Sequence, residues 1–146
     1  MNKSDFQLDS QRIINTEFTL NQGFLITKSL NVELEGKTEI KALSENTAIV
    51  VFSLFVYNNK PLEEVPFQIK VVSEGKFSWN SDLEKKQLHN YLNFNAPSIL
   101  LSYMRSVISM ITSYAGFSNF MIPLINFYKP SNPRQDKKSQ KPMAKE

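Results

Sequence analysis

One histidine, four scattered glycines and a few neighbouring acids are all that this 146-residue chain offers for bond-making chemistry. His89 has no second histidine with which to share a metal, and the residue order suggests no Ser, His and Asp grouping. It reads as an ordinary surface or half-buried side chain. Glu33 with Glu35, and Glu63 beside Glu64, are the pairs that acid–base work or a hard cation would use. The first pair alternates with lysines on a wet strand face and the second follows a turn, so both read as solvated surface. Gly23, Gly36, Gly75 and Gly116 lie too far apart for a dinucleotide fingerprint or a P-loop. The absence of cysteine excludes disulfides and thiolate metal sites. No enzyme motif survives, and no metal or cofactor is expected.

Eleven Phe, five Tyr and one Trp suit a different chemistry, the burial of apolar surface. Phe52, Phe55, Phe67 and Phe77 fall in or beside expected strands and need no role beyond a core. Phe24, Trp79, Phe94, Phe120 and Met121 fall in connections or at element ends, where large apolar groups are harder to bury. Several of these left exposed would make an adhesive surface for unfolded or extended chains. Methionine adds adaptability, because its flexible thioether fits many partners.

The elements that must position these side chains follow from periodicity. Residues 30–42 alternate with period two, with Leu30, Val32, Leu34, Ile40 and Ala42 on one face and Glu33, Glu35, Lys37, Glu39 and Lys41 on the other, which predicts a strand with one wet face. Phe6, Leu8, Ile14, Phe18 and Leu20 keep one parity across a first long strand. Arg12 shares that parity and Ile13 breaks it, which points to a bulge or bend. Residues 47–57 are apolar at nearly every position and β-rich, so that strand is expected to be covered on both faces. After the turn cluster Asn58-Asn59-Lys60-Pro61, a fourth strand carries Val65, Phe67, Ile69 and Val71 and is expected to end at Glu74-Gly75.

A short amphipathic helix is predicted over 82–92, followed by the main helix, which starts at Asn95 or Ala96 with Pro97 in its first turn and stops at Gly116. Ser98, Ser102, Ser106 or Arg105, Ser109 and Ser113 form one polar line on this helix. Its other faces are apolar, so one sheet does not cover it all and a second surface is needed, either from a neighbouring subunit or from within its own fold.

One domain fits the length. No stretch reads as a signal peptide or a membrane span, which is compatible with the cytoplasm. The net charge of +3 is uneven. Residues 129–146 hold six basic side chains against Asp136 and Glu146, giving +4 and leaving −1 for the rest. Almost free of apolar groups, this basic tail is expected to be disordered.

The motif Pro97-x-Ile99-Leu100-x-x-Tyr103-x-Arg105, followed by Ile108, the Gly116-Phe117 turn and Pro123-x-Ile125-Asn126-Phe127, resembles the C-terminal core signature of the SecB family of export chaperones. Gly75-x-Phe77 and Gln11-Arg12-Ile13 are similar to weaker landmarks in the same order. The resemblance implies an α+β fold, a four-stranded antiparallel sheet with a long helix on one face, over residues 1–128, followed by the tail. It implies an ATP-independent holdase for unfolded polypeptides, assembled as a homotetramer, a dimer of dimers with the long helices in the interface. That interface would hold Ser102, Arg105, Ser106 and Ser109.

By position, Phe18, Leu20, Phe24 and Ile26 resemble the lining of the family's client groove, with Trp79 and Phe120 as further candidates. The family's acidic patch for the SecA motor is matched at Glu17, but Asn21 and Lys70 stand where further acids are expected. The second C-terminal helix has no counterpart in Lys129-Pro130-Ser131-Asn132-Pro133, and the tail is basic where an acidic or polar extension is usual. These departures make a dedicated chaperone of an antitoxin an alternative to general export. Two further classes remain open on residues alone: a small apolar-ligand module, and a nucleic-acid binder acting through its tail.

Overall fold

The computed structural model describes residues 3–24, 31–117 and 120–127. The basic tail lies outside them. Strands β1 (Phe6–Leu20), β2 (Leu34–Ser44), β3 (Thr47–Val56) and β4 (Phe67–Trp79) form one antiparallel sheet in the order β1-β4-β3-β2. Helices α1 (Lys85–Asn90) and α2 (Ala96–Tyr114) follow, and α2 packs mainly on β4 and β3. The expected α+β architecture is the one observed.

β3 alternates without a break. Ala48, Val50, Phe52, Leu54 and Val56 are buried on the helix side, while Ile49, Val51 and Phe55 are half-buried on the other. The cover expected on this second face is partial and comes from side chains of the neighbouring strands. Glu35, Glu39 and Lys41 of β2 stand opposite Phe55, Val51 and Ile49, and the Lys70 ammonium lies 5.8 Å from the centre of the Phe55 ring. Long charged side chains lay methylenes over apolar neighbours and keep their charges in water.

In β1 the irregularity read from Ile13 is two register shifts, between Leu8 and Ser10 and between Ile13 and Asn15. The first turns Gln11 and Ile13 toward the helix side, and the second restores the parity of Phe18 and Leu20. Ile14, expected to face inward, sits in the second bulge and is exposed. The inward Gln11 amide donates to the hydroxyl of fully buried Ser73 at 3.0 Å, satisfying a polar group that water does not reach. Arg12 points outward and pairs with Glu74 at 2.9 Å.

Two expected boundaries move. β4 runs through Glu74-Gly75 to Trp79, because Gly75 marks a close approach rather than a turn. A Cβ there would lie 2.8 Å from Leu100 Cδ2 and 2.8 Å from Phe77 Cε2, so the missing side chain lets α2 settle onto the strand. The two predicted helices are joined through a π turn, Tyr91–Asn95, with helical backbone from Asn90 to Ala96. Pro97 supplies no N–H and its ring crowds the carbonyl of residue 93, which a wider turn relieves.

β2 is also less covered than its pattern predicts. Leu34 is half-buried, but Ile40 and Ala42, on the helix-side face, are exposed with neighbouring Leu43, because α2 lies over the middle of the sheet. Leu30 lies outside the described residues.

The close approach at Gly75 is directly testable. Gly75→Val is expected to lower the free energy of unfolding by about 1–3 kcal/mol, the usual cost of overpacking a filled core, measured by urea titration. An unchanged midpoint would show that Leu100 has room to move.

Candidate functional site

The sequence reading asked for aromatic groups gathered at element ends, and the fold gathers them around Phe67. This fully buried ring opens β4, and Phe18, Tyr57, Phe117 and Phe120 surround it with centroids at 5.8, 5.6, 5.1 and 5.0 Å. Three of the four meet it edge-on, the arrangement favoured by ring quadrupoles. Each arrives for a local reason. The second bulge turns Phe18 and Leu20 inward, and Leu20 stands opposite Phe67 in the ladder. Helix α2 stops at Gly116, whose φ of 93° lets the Phe117 N–H reach back to the Thr112 carbonyl at 2.9 Å, throwing the Phe117 ring onto Phe67.

Beyond that turn, residues 120–127 return along α2 without helix or strand of their own. Ile122 is buried, and the Arg105 guanidinium donates to its carbonyl at 2.6 Å. At the far end Phe127 stands edge-on against Phe52 at 5.6 Å. A seam runs between this segment and the helix. One part, about 420 Å³, is lined by Phe94, Ser98, Ile99, Leu124 and Phe127. The other, about 470 Å³, is lined by Ser106, Ser109, Met110, Met121 and Ile122, with Arg105 at its margin. Along it Leu124 is 86% exposed, Met121 72% and Met110 53%, and Tyr114 on the last turn of α2 is 87% exposed.

The candidate residues divide as follows. Phe18 and Phe120 meet through Phe67, and Leu20 and Phe24 are half-buried at the same end of the sheet. Ile26 lies outside the described residues. Trp79 is 9% exposed and stacks near Phe6 at 6.3 Å, so its place is in the core at the other end of β4. Ser102, Ser106 and Ser109 are exposed on α2, whereas Arg105 is half-buried and engaged by its own chain. Sequence reasoning missed Phe67, Tyr57 and Phe117 as the hub, although Phe117 directly after Gly116 carried the signal of a helix-ending turn.

Two positions where acids were expected receive physical reasons. The Asn21 side-chain amide donates to the carbonyls of Leu62 and Val65, each at 3.0 Å, and its oxygen accepts from the Gly23 N–H at 3.1 Å. It thereby ties the end of β1 to the turn before β4, and a carboxylate has no proton with which to do so. Lys70 stands opposite exposed Glu17 in the β1–β4 ladder, so positive charge faces the one acid that matches.

The family model for SecB, preprotein translocase subunit SecB, matches residues 13–136. The chain belongs to the SecB family. It is 35% identical over 107 residues to the protein-export protein SecB of Anaplasma phagocytophilum (strain HZ), a match spanning 70% of this chain and 68% of that protein. Its fold is similar to that of a Mycobacterium tuberculosis SecB-like chaperone solved in complex with an antitoxin peptide. That likeness has a TM-score of 0.65 at 14% identity and covers 83% of this chain and 91% of the other. SecB-family proteins are chaperones, not enzymes, and membership assigns this chain a role in chaperoning and protein export. Among the described residues no helix is long and apolar enough to cross a membrane.

Asn21→Asp, which restores an acid at a position where the resemblance expects one, is expected to cost about 1–3 kcal/mol, because the Val65 carbonyl loses its Asn21 donor and the Leu62 carbonyl keeps only the Val65 N–H at 3.3 Å. The measurement is a thermal or urea melt. Equal stability would mean that the tie of β1 to the turn carries no weight.

Proposed function

We propose that this SecB-family chain is an ATP-independent holdase that binds non-native polypeptides along the seam beside α2 and over the adjoining aromatic end of the sheet. The observation that carries the reading is the run of exposed apolar side chains, Met110, Tyr114, Met121 and Leu124, beside the half-buried rings of Phe117 and Phe120. A monomeric soluble surface rarely leaves such groups together without a partner. No catalytic residue is required, since clients gain about 25 cal/mol per Å² of apolar surface removed from water, spread over many weak contacts. Phe18, Leu20 and Phe24 extend the surface past Phe67, and Trp79 drops out because the core already uses it. Slow-folding chains remain available for capture longest, so selectivity is kinetic.

Assembly as a dimer of dimers is part of the same reading. Ser102 and Tyr103, exposed on α2 and lining neither part of the seam, supply a helix surface that its own sheet does not cover. Glu17 is the remaining acid for docking a SecA motor. Lys70 opposite it weakens that dock, which keeps a dedicated client such as an antitoxin as the alternative to export through SecA, and the seat of action is the cytoplasm.

Size exclusion with light scattering, run without nucleotide and with a chemically unfolded client, tests the holdase reading. A tetramer that carries the client supports it, and a monomer that ignores the client ends it. Replacing Phe24 and Leu124 together with Asp is expected to lower capture about ten-fold, because both lie off the core at the contact surface, with the melting temperature little changed. Equal capture by the folded double variant would move the surface elsewhere. Ser102→Glu is expected to reduce the scattering mass, and an unchanged mass would place this helix face outside the interface.

A further inference from the structure

Residues 120–127, Phe-Met-Ile-Pro-Leu-Ile-Asn-Phe, are apolar throughout except for Asn126, and they lie along α2 as chain without helix or strand. The side chains divide between two environments. Ile122 is buried, Phe120 and Phe127 stand edge-on against Phe67 and Phe52, and Met121 and Leu124 project into solvent. The charge-assisted bond from Arg105 to the Ile122 carbonyl fixes the backbone between these anchors. Arg105 and Ile122 both line the second part of the seam, beside Ser109 and Met110, and the first part lies beside Phe94, Ser98 and Ile99.

In composition and conformation this strap has the character of a holdase client, an extended apolar stretch that buries some of its side chains and leaves others in water. It also covers aromatic surface: with the strap lifted, Phe52 loses the Phe127 ring and Phe67 loses Phe120, one of its four ring neighbours. Segments outside helices and strands open at lower cost than the sheet and helix beneath them. We propose that the strap is an occupant in cis of the client surface, held down by Arg105, and that an extended apolar segment of the client displaces it and takes its place against α2. This rests on the holdase reading above.

The exchange has a thermodynamic consequence. Incoming client contacts replace outgoing strap contacts, so net binding is the difference between two similar burials. Binding is then strong enough to retain an unfolded chain and weak enough to release it without a nucleotide.

A lone thiol reports the exchange directly, because the chain has no cysteine of its own. Ile122→Cys places that thiol beneath the strap, and Ile125→Cys, half-buried on the same segment, gives the same readout if the first variant does not fold. The rate of reaction with a water-soluble disulfide reagent is measured on the full assembly, alone and saturated with a cysteine-free unfolded client, with scattering mass recorded in both states. The expected result is a roughly ten-fold acceleration on client binding at unchanged assembly, matched without client in the Arg105→Ala background, as an opened minor state becomes the major one. A rate that stays level or falls while the client co-migrates overturns the proposal and makes the strap a fixed wall of the site. Acceleration that accompanies loss of assembly also overturns it, since dissociation then exposes the thiol. A client that does not co-migrate removes the holdase reading, and the proposal falls with it.

Discussion

One helix cannot cover four strands. With side chains an α-helix is about 10–12 Å across, and strands lie about 4.8 Å apart, so α2 shields the central pair and little else. β4 and β3 are accordingly the most buried strands, and the strictest alternation in the chain belongs to β3. Everything left over must be covered by something weaker. Beside the helix the strap adds Phe120 and Phe127 over Phe67 and Phe52 of that same central pair. At the β2 margin Ile40 and Leu43 stay exposed, and on the far face charged stems lie over Ile49, Val51 and Phe55.

That shortage of cover links the fold to the chaperone role. A domain that buried all its apolar surface would have none to offer a client, and one that exposed too much would aggregate. Here the firm part of the core rests on Gly75, where Leu100 approaches the strand, and on Phe67, which is touched by groups from β1, the β3–β4 connection, the end of α2 and the strap. The most exposed apolar groups among the described residues, Leu124, Met121 and Met110 with Tyr114, lie along the seam and on the last turn of α2. The stable contacts and the exchangeable ones thus share a single ring. This gives a physical reason for placing the client surface there rather than on the charged outer face.

Much of the fold was legible because its signals are local. Period-two alternation placed β1, β2 and the start of β4, a continuous apolar and β-rich run placed β3, and Pro97 and Gly116 bracketed α2 within about a turn. The errors share a cause, since each depended on a contact distant in sequence. Gly75 reads as a terminator until Leu100 is known to press on it, and Ile13 and Ile14 exchange faces because β1 must stay in register with β4 through two bulges. Trp79 looked like a loose aromatic at a strand end, and Phe6, from the other end of the sequence, makes it core. Arg105 read as part of a polar line on a helix face until residue 122 came back to meet it. The departures at Asn21 and Lys70 were visible as departures, and their reasons lay in the carbonyls of Leu62 and Val65 and in Glu17 across the ladder.

The central claim is that apolar burial on uncovered surface drives client capture. Titration calorimetry with an unfolded client, repeated at several temperatures and two salt concentrations, tests it most directly, because removal of apolar surface from water leaves a negative heat-capacity change whatever the sign of the enthalpy. The account predicts a clearly negative heat-capacity change that persists at high salt. A heat-capacity change near zero, with binding that disappears as salt rises, would make capture electrostatic and contradict it.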